Sequence, residues 1–263
     1  EGVYINVEGG FSNRLVRGST VRVGLASAGY PFPAPSGVVD YRLRRPSENA
    51  SLSAAADIGP FGGYGLEIDA SVPIVEGQLA LSGGASFRRR VPIPGQANRF
   101  SNLALVAEWS PAVGVEFLPF VSYTPRPQDV EPTVFVAGAF LPPEIDAASF
   151  GQRWADQRRT QIAYGSLVSA QLGERTRLKG GLFRSIGVTQ ENFSDLFRDT
   201  GRDGFGDRFI LSNPRQRQAS NSGEIRLTHS LSSGRLTQSV HIMGRARRST
   251  NLYGGASSVA LGR

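Results

Sequence analysis

Apolar and polar residues alternate with a period of two along most of the chain, and the helical template of apolar positions at i, i+3, i+4 and i+7 is hard to find. The clearest segment carries Leu66, Ile68, Ala70, Val72 and Ile74 against Glu67, Asp69, Ser71 and Pro73. Leu79, Leu81, Gly83, Ala85 and Phe87 follow, then Leu103, Leu105, Ala107 and Trp109, then Val113, Val115, Phe117, Val121 and Tyr123. Later come Ile162 to Leu172, Leu178 to Val188, Ile225 to Leu231 and Leu236 to Ala246. With an opening segment at Ala50, Leu52, Ala54 and Ala56, about nine strands of about ten to fifteen residues are predicted. Strands of soluble sandwiches centre near 5–6 residues, whereas a tilted strand crossing a bilayer needs about 9–11.

The connections alternate too. Short turns are predicted at Val75–Gly77, Ser110–Ala112, Gly173–Arg175 and Ser232–Gly234, and longer linkers at Arg89–Phe100, Thr124–Arg159 and Thr189–Ser220. In an antiparallel meander alternate connections fall at opposite ends, so the tight turns share one rim and the long loops the other, as in an outer-membrane barrel. A soluble up-and-down barrel also alternates, but its inward face is apolar and its outward face charged. Here the non-apolar face is crowded with Gly, Ala, Ser and Gln beside Glu, Arg and Lys, which suits a lumen filled by water or by another polar segment.

Composition narrows this reading without replacing it. The chain has 263 residues, no Cys, 32 Gly, 19% charged residues and a mean hydropathy of -0.20. Disulfides are excluded, and the glycine share disfavours a helical bundle. The longest nearly apolar run, Val134 to Pro143, is about half of what a spanning helix needs. The chain opens on Glu1 with neither a basic start nor an apolar stretch behind it, so no signal peptide is expected within it. A net charge of +7 permits nucleic acid, anionic lipid or an anionic ligand as partner. A nucleic-acid platform would interleave aromatics with Lys and Arg on one strand face. Phe87, Trp109 and Phe117 instead share the aliphatic register, so no nucleic acid is expected.

Before Ser47 the pattern changes to short apolar pieces, Val3–Ile5, Val21–Val23 and Val38–Tyr41, joined by a Gly- and Pro-rich stretch from Ser27 to Gly37. The stretch Tyr30-Pro31-Phe32-Pro33-Ala34-Pro35-Ser36-Gly37-Val38-Val39-Asp40-Tyr41-Arg42-Leu43-Arg44-Arg45-Pro46 resembles the end of the plug domain of TonB-dependent outer-membrane receptors. Tyr30, Pro35, Gly37, Val38, Val39, Arg44, Arg45 and Pro46 fall on the family's register without a gap, while Pro31 and Ser36 stand at glycine positions and Asp40 at an asparagine. The segment Gly24 to Gly29 is shorter than the family's pattern. The resemblance implies an all-β fold: a partial antiparallel outer-membrane β-barrel meander preceded by a plug remnant, with residues 1–47 the end of the plug and 48–263 the start of the barrel. Receptors of this kind belong to the large plugged barrels of about 22 strands. No TonB box precedes the plug remnant and the chain ends on Leu261-Gly262-Arg263, so a fragment is expected.

Nothing in the sequence demands catalysis, and no cofactor is called for. His229 and His241 fall on opposite strand faces, which does not make a metal pair. Asp199, Asp203 and Asp207 lack the ligand spacing of a calcium loop and read as a solvated outer loop. Arg88, Arg89 and Arg90, with Arg245, Arg247 and Arg248, are expected where strands meet the outer loops, against lipopolysaccharide or around an electropositive vestibule. The resemblance further implies uptake of a scarce ligand, most simply a ferric siderophore, across the bacterial outer membrane, coupled to the TonB complex. The ligand contacts it implies are Tyr30 and Phe32 at the plug apex and Phe150, Arg153 and Trp154 in the long outer loop. A porin-like or adhesin-type barrel without active transport is the alternative.

Overall fold

The computed structural model describes residues 12–24, 37–130, 133–140, 144, 151–152, 154–213, 215–233 and 236–262. Fourteen strands are assigned among them. Two short ones, β1 (Val16–Arg22) and β2 (Val38–Leu43), pair antiparallel with each other and form a separate sheet. Nine others make one continuous antiparallel meander: β3 (Ser51–Ile58), β4 (Tyr64–Val75), β5 (Leu79–Arg90), β6 (Asn98–Ala112), β7 (Val115–Asp129), β9 (Gln157–Gln171), β10 (Thr176–Thr200), β12 (Gln216–Ser233) and β13 (Leu236–Leu252). This is the nine-strand wall that the alternation predicts. It is open, with β3 and β13 at its two edges.

Each strand puts its aliphatic register on the outer face, where the side chains are left to the surroundings. Leu66 is 54% and Leu103 56% exposed, and Ile68 and Leu105 are exposed as well, while Leu79 and Leu81 are half-buried among their neighbours. Aromatic pairs flank this band. Trp109 meets Phe117 at 5.4 Å between ring centroids near the tight-turn rim, and Tyr64 meets Phe87 at 5.8 Å near the other end. Leu79 lies opposite Trp109, and the eight residue steps from there to Phe87 span about 27 Å of strand. Outer-membrane barrels carry such an apolar band, about 25 Å tall, between two aromatic girdles.

The inner face is less uniformly polar than its composition predicts. Ala104, Val106, Leu118, Phe120, Ala163 and Phe183 form its middle, and Leu15 packs against them together with Val16 and Leu43. Leu118 is 2% and Phe183 4% exposed. These residues share the register that the alternation assigns to polar side chains. They are apolar because the β1–β2 unit sits on them and removes them from water, a neighbour that strand periodicity alone does not reveal. Phe120 and Phe183 stack at 6.1 Å across Gly165, which lies opposite both of them. A Cβ on Gly165 would come 2.2 Å from the Leu182 carbonyl oxygen and 2.9 Å from the Phe120 ring. Only a glycine lets the two rings close over the strand between them.

Several placements differ from the expectation, among them that β7 runs on to Asp129 and β9 begins at Gln157, inside the linker expected over Thr124–Arg159. The β6–β7 turn is Val113-Gly114, since Ala112 pairs with Val115, and Ser110 to Ala112 belong to β6. Gly114 at φ 78 supplies the left-handed residue that a two-residue hairpin requires, whereas Pro111 is accommodated within the strand. The linker expected over Thr189–Ser220 is mostly strand: β10 runs on to Thr200 and returns as β11 (Asp207–Ser212) before β12. Arg245, Arg247 and Arg248 lie inside β13 rather than at a loop, opposite Glu224, Ser222 and Asn221. The wall therefore stands taller on this side. Two further strands complete the extension, β8 (Val134–Ala137) beside the end of β10 and β14 (Ser257–Gly262) beside β11.

Candidate ligand-binding site

The tight-turn half of the inner face is closed by charge pairing. Arg14, in the turn that leads into β1, reaches Asp69 at 2.7 Å and Glu67 at 3.1 Å, and Arg44 reaches Asp69 at 2.9 Å. Arg45 forks onto Glu116 at 2.6 and 2.9 Å and lies 3.6 Å from Glu108. The backbone joins in, with Ser82 donating its hydroxyl to the Arg44 carbonyl and Ser47 N–H donating to the Ser71 hydroxyl. These contacts are what the basic pair before Pro46 does: two guanidiniums leaving β2 are caught by carboxylates on β4, β6 and β7, so the unit is bolted to the wall.

Toward the long-loop rim the same face turns polar and open. Asn102 donates to the Ser86 hydroxyl at 3.2 Å and accepts from the Thr124 hydroxyl at 3.2 Å. Arg126 lies over the Phe100 ring at 5.2 Å. Beside it a recess of about 50 Å³ is lined by Arg159, Gln161, Ser185, Thr189, Gln216 and Gln218. An aromatic ring, guanidiniums and amide and hydroxyl donors converge here on one surface. Such a surface can bind an oxygen-rich ligand by charge-assisted and neutral hydrogen bonds together.

Above this, the extension of β10 carries a second cluster. Asp195 is buried and holds Arg208 of β11, whose Nε donates at 3.0 Å and whose Nη2 makes a further contact. That hydrogen bond pushes the Arg208 guanidinium still further up from its ordinary value. Arg208 also lies over Phe197 at 5.1 Å, and Phe197 stacks on Phe135 of β8 at 5.1 Å. Trp154 is exposed and meets Phe193 edge-on at 5.4 Å. The tip is a tight hairpin in which Gly201 N–H donates to the Phe205 carbonyl and Asp203 accepts from Phe205 N–H. Asp203 thus serves the turn, and among the described residues no group of three acidic or histidine side chains could hold a metal. His229 and His241 are each paired with a threonine across the strand, Thr176 at 2.8 Å and Thr228 at 2.9 Å.

Of the five sequence-predicted ligand contacts, Tyr30, Phe32, Phe150 and Arg153 lie outside the described residues, and Trp154 is placed on the outer extension. Sequence reasoning passed over Phe100, Arg126, Arg159 and Phe193. Parity is the available signal: Arg126 and Arg159 continue the inner registers of Ser122 and Ala163 past the predicted strand ends.

No family model matches the sequence, and no curated protein matches it. Solved structures do. The ferric-catecholate import receptor Fiu of E. coli K12, in its open form, superposes over 94% of this chain with a TM-score of 0.76 at 12% identity, the match covering 41% of that receptor. FpvA of P. aeruginosa, bound to a heterologous pyoverdine and iron, matches 90% of this chain and 32% of its own length, with a TM-score of 0.73 and 12% identity. The siderophore receptor PiuA of Acinetobacter baumannii gives a TM-score of 0.64 at 10% identity, over 90% of this chain and 36% of that one. The chain thus spans less than half the length of each. Its open wall of long strands, with a short sheet bolted to the inner face, has the fold of the TonB-dependent outer-membrane siderophore receptors.

Proposed function

We propose that this chain is part of an outer-membrane receptor that takes up a ferric siderophore by energy-coupled transport. The observation that carries the reading is the superposition on siderophore receptors over nine-tenths or more of the chain. Its place is the bacterial outer membrane, and the outer apolar band between aromatic pairs supports that. Residues 1–47 are the end of the plug and 48–263 the start of the barrel. Tyr30, Phe32, Phe150, Arg153 and Trp154 are the proposed outer contacts, and lipopolysaccharide and the TonB complex the proposed partners. The structural neighbours are transport receptors, and that likeness supports a non-enzymatic role. A passive pore is disfavoured by the inner face, whose apolar middle and carboxylates are engaged by the β1–β2 unit.

The chain has two tryptophans, and Trp109 faces the apolar band while Trp154 stands on the extension. With Trp109→Phe in detergent micelles, a ferric siderophore is expected to quench Trp154 emission saturably, and the iron-free chelator much less. Quenching that rises linearly with concentration, with no saturation for any ferric chelate, overturns the reading.

A further inference from the structure

The outer face of the wall turns basic where its aliphatic register ends. Arg184 of β10 lies directly opposite Asn221 of β12, and Asn221 opposite Arg248 of β13, so two guanidiniums flank one amide across three adjacent strands. All three share the outward register, with Leu182, Gly223 and Ala246 as the row beneath them. On its other side Arg184 faces Tyr164 of β9. Arg184 stands eight residue steps above Thr176 at the foot of β10, as Phe87 does above Leu79 on β5, which puts the row at the aromatic upper end of the apolar band. The pattern repeats across the wall, where Arg89 lies between Tyr64 and Arg99 on the same outward register. On the inner face guanidiniums are answered by carboxylates: Arg14 by Glu67 and Asp69, Arg45 by Glu116, Arg226 by Glu224. The outward row is different. Among the described residues neither Arg184 nor Arg248 has a hydrogen bond or an ion pair, and the Nε of Arg184 is closed off from water without an acceptor. A basic side chain facing the acyl chains is costly at the bilayer midplane and nearly free at the interface, so this row belongs at headgroup depth.

We infer that Arg184, Asn221 and Arg248 form a clamp on the outer wall for the phosphomonoester of a lipid headgroup in the outer leaflet. The inference rests on the outer-membrane placement of the wall and is independent of the cargo, because it uses the opposite face. Charge complementarity selects the occupant: a phosphomonoester carries about -1.5 to -2 charges at neutral pH and meets two unanswered cations better than a zwitterionic headgroup does. Each guanidinium fork can donate two parallel N–H bonds to phosphate oxygens, and the Asn221 amide between them adds a further donor. β10 and β13 are two strand spacings apart, about 9–10 Å, a gap that two long side chains can close around one phosphate. Directly beneath, Gly223 and Ala246 leave the surface low beside the exposed Leu182, so an acyl chain of the clamped lipid has a shallow strip to lie against. Tyr164 sets a ring at the membrane–water interface next to the clamp. All of these side chains are positioned by strand pairing rather than by loops, which fixes their spacing.

The test measures binding of three probes to the full chain in maltoside micelles: a lipid A bearing phosphomonoesters, the same lipid dephosphorylated, and inorganic phosphate. The native chain is expected to hold the phosphorylated lipid about tenfold or more tighter than the dephosphorylated one, with a gap that narrows as salt is raised. Arg248→Gln should weaken binding of the phosphorylated lipid by roughly 10- to 100-fold and leave the dephosphorylated lipid within about twofold. Arg175→Gln removes the same charge at the tight-turn rim and should leave both lipids within about twofold. Arg248→Lys keeps the charge but not the fork, so it should fall in between, and it carries the test should the Gln variant fail to fold. Equal native affinity for the two lipids, an equal loss in Arg175→Gln and Arg248→Gln, or inorganic phosphate bound as tightly as the phosphorylated lipid overturns the clamp. Flotation with phosphatidylcholine vesicles checks the placement separately. A chain that floats but does not distinguish the two lipids overturns the clamp alone, whereas a chain that stays in the aqueous fraction and binds neither lipid overturns the membrane placement together with the clamp.

Discussion

At the scale of single residues, the wall depends on positions where a side chain is forbidden as much as on those where one is needed. Gly165 is one of the former, because its Cβ would meet backbone that cannot swing aside. Gly165→Ala is expected to cost about 1–3 kcal/mol through forced separation of the β9 and β10 backbones and of the Phe120–Phe183 stack. Gly187, with open space where its Cβ would stand, is the matched control, and Gly187→Ala should stay within about 0.5 kcal/mol. Urea unfolding in micelles, followed by the midpoint of the loss of sheet signal, tells them apart, and equal midpoints would rule out the steric account. Arg14 illustrates the opposite case. Its side chain is 11% exposed between Glu67 and Asp69, so most of its charge–charge attraction is sheltered from solvent screening.

At the scale of elements, the joint between β9 and the upper part of β10 is expected to respond to pH. Phe193 N–H donates to the Asp156 carbonyl at 3.3 Å just before β9 begins, and β10 pairs with β9 up to Asn192. The Asp156 carboxyl is raised above the ordinary carboxylate range, first by burial and then by Glu191, against the opposing pull of Arg158. An acid raised in the folded state contributes stability that is complete below its unfolded value and lost as pH climbs through its folded one. The joint should therefore be tighter at about pH 4 than at neutral pH. Amide exchange at Phe193, corrected for the intrinsic pH dependence, should show greater protection in acid, and Asp156→Asn should flatten the difference. Protection that increases with pH would contradict the assignment. The tall β10–β11 hairpin was only half legible in the sequence. Its lower part alternates aliphatic with polar residues, whereas above Thr189 aromatic, acidic and basic residues alternate instead. Both faces of that upper ribbon are used, by Leu196 and Phe209 on one and by Phe197 and Arg208 on the other.

At the scale of the whole molecule, β3 and β13 each pair with one strand among the described residues, and every residue of both is exposed. Such edges carry rows of unpaired backbone donors and acceptors, and long ones of this kind invite pairing with another strand. In micelles the isolated chain is expected to associate edge to edge, with a sedimenting mass that rises with protein concentration at fixed detergent. A single monomeric species across the range would show that micelle packing alone protects the edges.

The sequence by itself determined the nine strands of the wall, the outward aliphatic band and the side on which the short turns fall, because a period of two is a local property that survives without knowledge of neighbours. It also marked the basic pair at Arg44 and Arg45 as a distinctive feature. Only the tertiary structure decided what meets that pair, why Leu118, Phe120 and Phe183 are apolar on a face that faces inward, and that Arg126 and Arg159 stand side by side. The register joins residues 33 positions apart at that last pair, counting from 126 to 159. Register is fixed by the sum of all contacts along two strands, so no local pattern announces which side chains it will bring together.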